Sequence, residues 1–275
     1  MPHTPRSDRP VALVTGASSG IGRATARALA DAGFAVAGTS RNAENAVPTD
    51  GVTFFDLDVT RDDSVDAVVS EVLQRFGRID VLVNNAGAGT AGAAEENSIS
   101  QTRAAFETNV FGTIRMTTAV LPHMRAQGAG RIINVSSVLG FIPAPFMAVY
   151  AATKHAVEGY SESVDHEVRE HGVRVLLVEP GYTSTGFEDN TVWSDSPLPA
   201  YADQRAVIRD VISTAMRKAD DPAVVAKVIV TAATAARPRV RYPAGSMASR
   251  VSVLRRLVPW RAFDRQIRKL NRLAD

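Results

Sequence analysis

The run Tyr150-Ala151-Ala152-Thr153-Lys154 sets a phenol and an ammonium four residues apart, on one face of a helix and a single turn from each other. An ammonium that close favours the ionised form of a phenol, which suits the pair to taking and giving a proton. Such pairs are common surface decoration, but three observations lift this one. Lys154 is one of four lysines in a chain that otherwise carries its positive charge on 27 arginines. Ser137 lies 13 residues before Tyr150, at the end of an apolar run, where the ligand crevices of parallel sheets open. Asn109 sits inside a stretch that otherwise reads as helix, a position for which Asn is a poor choice.

A second constellation lies near the N-terminus. Thr15-Gly16-Ala17-Ser18-Ser19-Gly20-Ile21-Gly22 follows an apolar run and opens a helical pattern. Glycines there allow a sharp turn and close backbone approach, and a helix N-terminus offers free N–H groups to an anion. The spacing is TGxxxGxG, and the expected ligand is the pyrophosphate of a dinucleotide. An acid at the end of the next strand would bond the ribose 2′-hydroxyl of NAD. That stretch instead reads Gly38-Thr39-Ser40-Arg41-Asn42, with Ser40 where the acid would be and Arg41 after it. A guanidinium holds a 2′-phosphate, so NADP(H) is the expected cofactor.

These residues need a scaffold that brings them together. Short apolar runs alternate with longer amphipathic ones: strands at Val11–Val14, Ala35–Thr39, Val52–Asp56, Ile79–Asn84, Arg131–Ser136 and Arg174–Val178, with Val240–Tyr242 last. Helices are expected at Ile21–Ala32, Ser64–Phe76, Gln101–Met124, Ala148–Glu170 and Val224–Ala236. The alternation implies a single α/β domain over residues 10–245, a Rossmann-type doubly wound parallel sheet with helices on both faces. The unbroken apolar strands VLVN and VRVLLV agree, since parallel strands are buried on both sides.

TGASSGIG, NNAG at Asn84–Gly87, Asn109, Ser137, Tyr150-x-x-x-Lys154 and Pro180-Gly181 occur in the order and spacing of the short-chain dehydrogenase/reductases, which the chain resembles over residues 10 to 185. Within them GTSRN, the run from Val135 to Ser163 and VEPGYTST look like the 17β-hydroxysteroid-dehydrogenase-like oxidoreductases. The resemblance implies hydride transfer between NADP(H) and a lipophilic ketone or secondary alcohol. Tyr150 would be the general acid and base, and Lys154 and the positive nicotinamide would lower its pKa. Lys154 would also bond the nicotinamide ribose. Ser137 would bond the substrate oxygen, and Asn109 would hold a water relaying protons from Lys154. The cofactor would meet Gly16, Ser18, Ser19, Gly20, Ile21 and Gly22 at the turn, and Ser40 and Arg41 at the 2′-phosphate. Asp58 and Val59 would receive the adenine. Asn84, Ala86 and Gly87, then Pro180, Gly181 and Thr183, would line the crevice. The resemblance also implies a homodimer or homotetramer packed through Gln101–Met124 and Ala148–Glu170. Two other readings fit less well. A non-catalytic NADP(H)-sensing protein of this fold would be expected to lack the Tyr or the Lys, and sugar-nucleotide epimerases carry TGxxGxxG.

Other features bound the reading. The net charge of +2 divides into +9 from Arg237 onward and −7 before it. The tail pairs Phe263, Ile267 and Leu270 with Arg261, Arg265, Arg268, Lys269 and Arg272, a basic amphipathic helix. It is expected to pack on this domain or a partner subunit, with weak contact to an anionic membrane surface as the alternative. Residues 1–9 read as a disordered lead-in, and no run approaches the ~20 apolar residues of a membrane span. The chain has no cysteine, which suits a cytoplasmic location. His3, His123, His155, His166 and His171 show no ligand spacing, so no metal is expected, and nothing points to nucleic acid. Glu95-Glu96 and Asp62-Asp63 read as solvated faces or as charges at helix N-termini. Residues 186–203, with Phe187, Trp193 and Tyr201, read as a lid over the substrate, and Phe141 and Phe146 as walls of its pocket.

Overall fold

Strand β1 (Val11–Val14) is buried along its whole length, as an apolar run covered on both faces must be. In the computed structural model, which describes residues 8–186 and 191–273, it lies at the middle of a seven-stranded sheet. The chain continues through α1 (Gly20–Asp31), β2 (Ala35–Ser40), β3 (Val52–Asp56), α2 (Asp62–Phe76), β4 (Val81–Asn84) and β5 (Thr90–Ala91). Then come α3 (Ile99–Phe106), α4 (Gly112–Gln127), β6 (Gly130–Val135), α5 (Ala148–Val168), β7 (Val173–Pro180) and β8 (Val192–Trp193). Helices α6 (Ala202–Met216) and α7 (Pro222–Thr234), strand β9 (Arg241–Ala244), and helices α8 (Ser246–Leu257) and α9 (Trp260–Leu270) complete it.

The sheet order is β3-β2-β1-β4-β6-β7-β9 and every pairing is parallel. Order reverses between β1 and β4, so the crevice opens beyond their C-terminal ends. One apolar core lies on the face carrying α2, α4 and α5, around Val68, Leu82, Met116, Val120 and Ile132. The other lies under α1 and α7, around Leu29, Val83, Ile133, Leu176 and Ile229. The expected doubly wound architecture is present.

Helix α5 is fixed to the sheet at its far end by Asp165. This buried carboxylate accepts bonds from Arg174 Nε (2.8 Å), the Val175 amide (2.9 Å) and Arg169. Burial disfavours its charge, but Arg174 and the other donors outweigh that and hold it below the usual carboxylate range. The expected long helix from Gln101 is in fact two, α3 and α4, joined by a π-helical turn at Glu107–Phe111 that contains Asn109. A π turn shifts the bonding by one residue, and such turns gather at functional sites.

Candidate active site

Three consecutive residues at the end of β6 face three residues at four-residue intervals on α5. The Ser137 hydroxyl lies beside the Tyr150 hydroxyl. The Val135 carbonyl accepts a bond from Lys154 Nζ at 2.9 Å. The Ser136 hydroxyl lies beside the Glu158 carboxyl. Tyr150 and Lys154 are both buried, and Nζ lies 5.7 Å from the phenol ring centre. Burial pushes the Tyr150 phenol up to about 12, with the nearby Ser137 hydroxyl opposing the shift. Burial also brings the Lys154 ammonium down to about 8, with Glu158 opposing the shift.

Asn109 reaches this group from the π turn. Its Oδ1 accepts from the Ala88 amide (2.8 Å), and its Nδ2 donates to the Ala88 carbonyl (2.9 Å) and Thr153 Oγ1 (3.1 Å). The side chain is therefore committed to protein, and the Asn109 carbonyl accepts the Thr113 hydroxyl at 2.9 Å. The Thr153 hydroxyl donates to the Tyr150 carbonyl, so Asn109 also steadies the helical turn between the phenol and the ammonium.

The glycine turn lies across the switch point. Gly16 has φ +64°, a conformation natural to glycine alone. A Cβ on Gly22 would collide with the Gly16 carbonyl oxygen. Asn85 locks the turn from β4, donating to the Thr15 and Gly16 carbonyls at 2.9 and 3.2 Å. The Thr15 hydroxyl accepts from the amides of Asn85 and Ala86. At the start of α1, Ser19 makes no side-chain cap and the first turn holds no acid. An uncapped, acid-free N-terminus beside Ser18, Gly20 and Ile21 fits the pyrophosphate of a nicotinamide dinucleotide.

Ser40 ends β2 and exposed Arg41 follows it. The Asp58 carboxyl accepts both the amide and hydroxyl of Thr60, at 3.0 and 2.7 Å. Those bonds, and after them the nearby Arg41, hold it below its ordinary range, so Arg41 and Asp58 share one end of the crevice. Val59 packs on Gly112 of α4, and Gly87 faces Asn109. Pro180 ends β7, Gly181 packs against Met247 of α8, and the Thr183 hydroxyl donates to the Gly181 carbonyl at 3.2 Å. The family model for short chain dehydrogenase matches residues 10–194, the stretch holding all of these groups.

The chain belongs to the short-chain dehydrogenase/reductase family. It is 34% identical over 277 residues to the uncharacterized oxidoreductase YusZ of Bacillus subtilis, covering 95% of this chain and 98% of that one. It is 43% identical over 180 residues, 66% of either chain, to the 3-ketodihydrosphingosine reductase of Bacteroides thetaiotaomicron. A solved short-chain dehydrogenase from Streptomyces avermitilis superposes with a TM-score of 0.81 at 38% identity, over 94% of this chain and 98% of that one. An oxidoreductase of this family works with a nicotinamide cofactor.

In this dehydrogenase one expected crevice residue turns away. Asn84 points its amide into the protein interior, donating to Asn134 Oδ1 at 2.8 Å and Thr117 Oγ1 at 3.3 Å. Asn134 in turn bonds Ser161 of α5, so Asn84 braces the sheet against the catalytic helix. Its neighbour Asn85 holds the glycine turn, a role that two adjacent asparagines cannot reveal in sequence. Glu96 takes the second of its two expected readings, a charge in the first turn of the short helix Ala94–Glu96, but it is not solvated. It is fully buried, accepting from the Ala93 and Leu198 amides and pairing with Arg205. Glu95 does lie at the surface and bonds the Tyr201 hydroxyl at 2.5 Å.

Through those contacts residues 191–205 are tied to the Glu95–Glu96 turn. β8 pairs with β5, and Phe146 meets the Tyr201 ring edge-on at 6.1 Å. Phe146 is held at φ +62°, a strained conformation for a non-glycine residue. Phe187 lies outside the described residues, as do residues 1–7 of the expected lead-in. Phe141 joins an apolar cluster with Val138, Ile142, Met247, Ala248 and Phe263, immediately after Ser137.

Proposed function

We propose that the chain is an NADP(H)-dependent oxidoreductase acting on a lipophilic ketone or secondary alcohol, with Ser137, Tyr150, Lys154 and Asn109 as its working set. The observation that carries this is the convergence of Ser137, Tyr150 and Lys154 beside the Asn85-locked glycine turn. The bound nicotinamide supplies the hydride donor or acceptor. Ser137 and Tyr150 hold the substrate oxygen between two hydroxyls, and Tyr150 gives it a proton in reduction or takes one in oxidation. Lys154 favours the phenolate that this exchange requires, since an unassisted buried phenol near 12 gives up its proton too reluctantly. Asn109 aligns the helical turn between the phenol and the ammonium through Thr153. Arg41 carries the choice of NADP(H), and the apolar cluster after Ser137 supports a lipophilic substrate, as does a relative named for a keto compound.

Tyr150→Phe removes the proton and leaves the ring. Turnover should fall by about 10²–10⁴-fold. NADPH binding, read from its fluorescence, should be nearly intact; wild-type turnover in this variant would refute the assignment. Arg41→Asp should weaken NADPH by about 10–100-fold, the loss of ~1.5–3 kcal/mol of charge-assisted bonding, and improve NADH. An unchanged NADPH affinity would place recognition of the 2′-phosphate elsewhere. A panel of steroids, retinoids, quinones and aliphatic ketones, followed by NADPH absorbance, identifies the substrate. The same reading includes a cytoplasmic homodimer or homotetramer. It also includes a weak contact of the basic C-terminal helices with anionic membrane, tested by pelleting with anionic liposomes at physiological salt.

A further inference from the structure

The pairing of β6 with α5 has a third rung that the proposed reaction does not use. Ser137 meets Tyr150, the Val135 carbonyl meets Lys154, and Ser136 meets Glu158, one helical turn beyond the ammonium. Glu158 is 3% exposed. Arg241 of β9 pairs with it and with Glu179 of β7, another buried carboxyl, at 2.5 Å for Glu179. Glu162, half exposed on α5, completes the shell of Arg241 at 2.9 Å. Buried Lys154 and partly buried Arg241 thus face two buried carboxyls, and Arg256 of α8 adds positive charge near Glu179.

The atoms between Ser136 and Glu158 are unusual. Ser136 Oγ and Glu158 Oε1 are both buried, and neither has a hydrogen bond of good geometry among the described residues. They lie together beside Gly140, where an added Cβ would come 2.6 Å from the serine oxygen and 2.8 Å from the glutamate oxygen. A hydroxyl both donates and accepts. Ser136 can therefore donate to an ionised Glu158 or accept from a protonated one, with little rearrangement. The site accommodates both forms of the carboxyl.

We propose that Glu158 is a positioning residue that keeps Lys154 in its ammonium form, and that Arg241 and Glu179 set how fully Glu158 is charged. Two opposed influences on Glu158 make this adjustable. Burial raises it to about 7 and Glu179 pushes it the same way, while Ser136 and Arg241 pull it down. An ionised Glu158 stabilises the ammonium one turn away; a neutral one does not. The argument rests on the functional reading only where Lys154 is assigned its task. The charge coupling itself is a property of the cofactor-free protein.

The chain's four lysines make a direct test practical, because Lys218, Lys227 and Lys269 are all exposed. Lysine labelled with ¹³C at Cε gives four resonances that report amine protonation, and Lys154→Arg identifies the one for Lys154. Without cofactor or substrate, Glu158→Gln should lower the Lys154 midpoint by about one unit, a tenfold change in its amine-to-ammonium ratio. Arg241→Gln should lower it too, because Glu158 without that partner keeps its proton, whereas the loss of a cation acting on Lys154 directly would raise it. Glu162→Gln should leave it in place. A fall on removing a positive charge is what a merely structural role would not produce. An unmoved midpoint in Glu158→Gln, or a rise in Arg241→Gln, overturns the proposal. Should Glu158→Gln fail to fold, the direction in Arg241→Gln decides alone, with a fall in support and a rise or no change against. In an active enzyme the alkaline limb of the turnover profile should follow the same signs. If the protein turns nothing over, the titration still answers the question of coupling.

Discussion

Gly22 shows how one atom decides between two effects of opposite sign. It lies in the first turn of α1, where alanine is intrinsically favoured over glycine by about 1 kcal/mol. Its missing Cβ, however, is where the Gly16 carbonyl oxygen lies, with Asn85 Nδ2 only 2.5 Å from the same point. Gly22→Ala must therefore push the turn off the helix and break the Asn85 bonds to the Thr15 and Gly16 carbonyls. The clash outweighs the propensity gain. The variant should melt below the wild type and bind NADPH at least about tenfold more weakly, a cost of ~1.4 kcal/mol; calorimetry and fluorescence titration check both. At this scale sequence was a good guide to the close backbone approach at Gly22 and to the shared helix face of Tyr150 and Lys154. It was blind where direction matters. Asn84 and Asn85 are the same residue side by side, and only the pleat of β4 sends one inward and the other to the turn.

Among elements, the strands and helices that carry the site were legible because buried parallel strands and amphipathic helices leave strong periodic marks. The π turn at Glu107–Phe111 was not, since one residue of excess inside a helix hardly disturbs its pattern. Nor were β5 and β8, two residues each, which exist through tertiary pairing. The burial of Glu96 was missed for a related reason. An acid in a polar stretch reads as surface, and the partners that bury it, Leu198 and Arg205, stand about a hundred residues away. Burial disfavours its charge, but the Leu198 and Ala93 amides and Arg205 outweigh that and hold its pKa below the usual range. A depressed carboxyl contributes stability that is present above its unfolded pKa, ~4.3, and is lost as pH falls through the folded value. Glu96→Gln should thus lower stability at neutral pH, by about 3–5 kcal/mol if Arg205 is left buried and unpaired. The gap to wild type should close as pH drops below ~4.3. Urea unfolding across pH reads the gap, and hydrogen exchange in 191–205 should quicken in the variant.

On the scale of the whole molecule, the basic tail is joined to the body that its charge complements. Residues from Arg237 onward carry +9 against −7 elsewhere, and Arg272 pairs with Asp210 of α6 at 2.8 Å. The attachment is chiefly apolar. Phe263 of α9 is buried with Val138, Ile142 and Ala248, and partly buried Ile267 packs beside it. Arg255 of α8 stacks near the rings of Trp260 and Phe263 and donates to the Phe141 carbonyl at 3.3 Å. Exposed ion pairs such as Arg272–Asp210 are each worth ~0–1 kcal/mol, so burial of Phe263 should dominate. Phe263→Ala should cost about 3–5 kcal/mol in urea unfolding, whereas Trp260→Ala, at an exposed position, should cost far less. Because Val138 follows Ser137 directly, Phe263→Ala should also raise KM for an apolar substrate more than it lowers kcat. A variant that unfolds like the wild type would mean the tail is a detachable arm. One that loses stability with KM unchanged would mean that α9 supports the fold without shaping the substrate pocket.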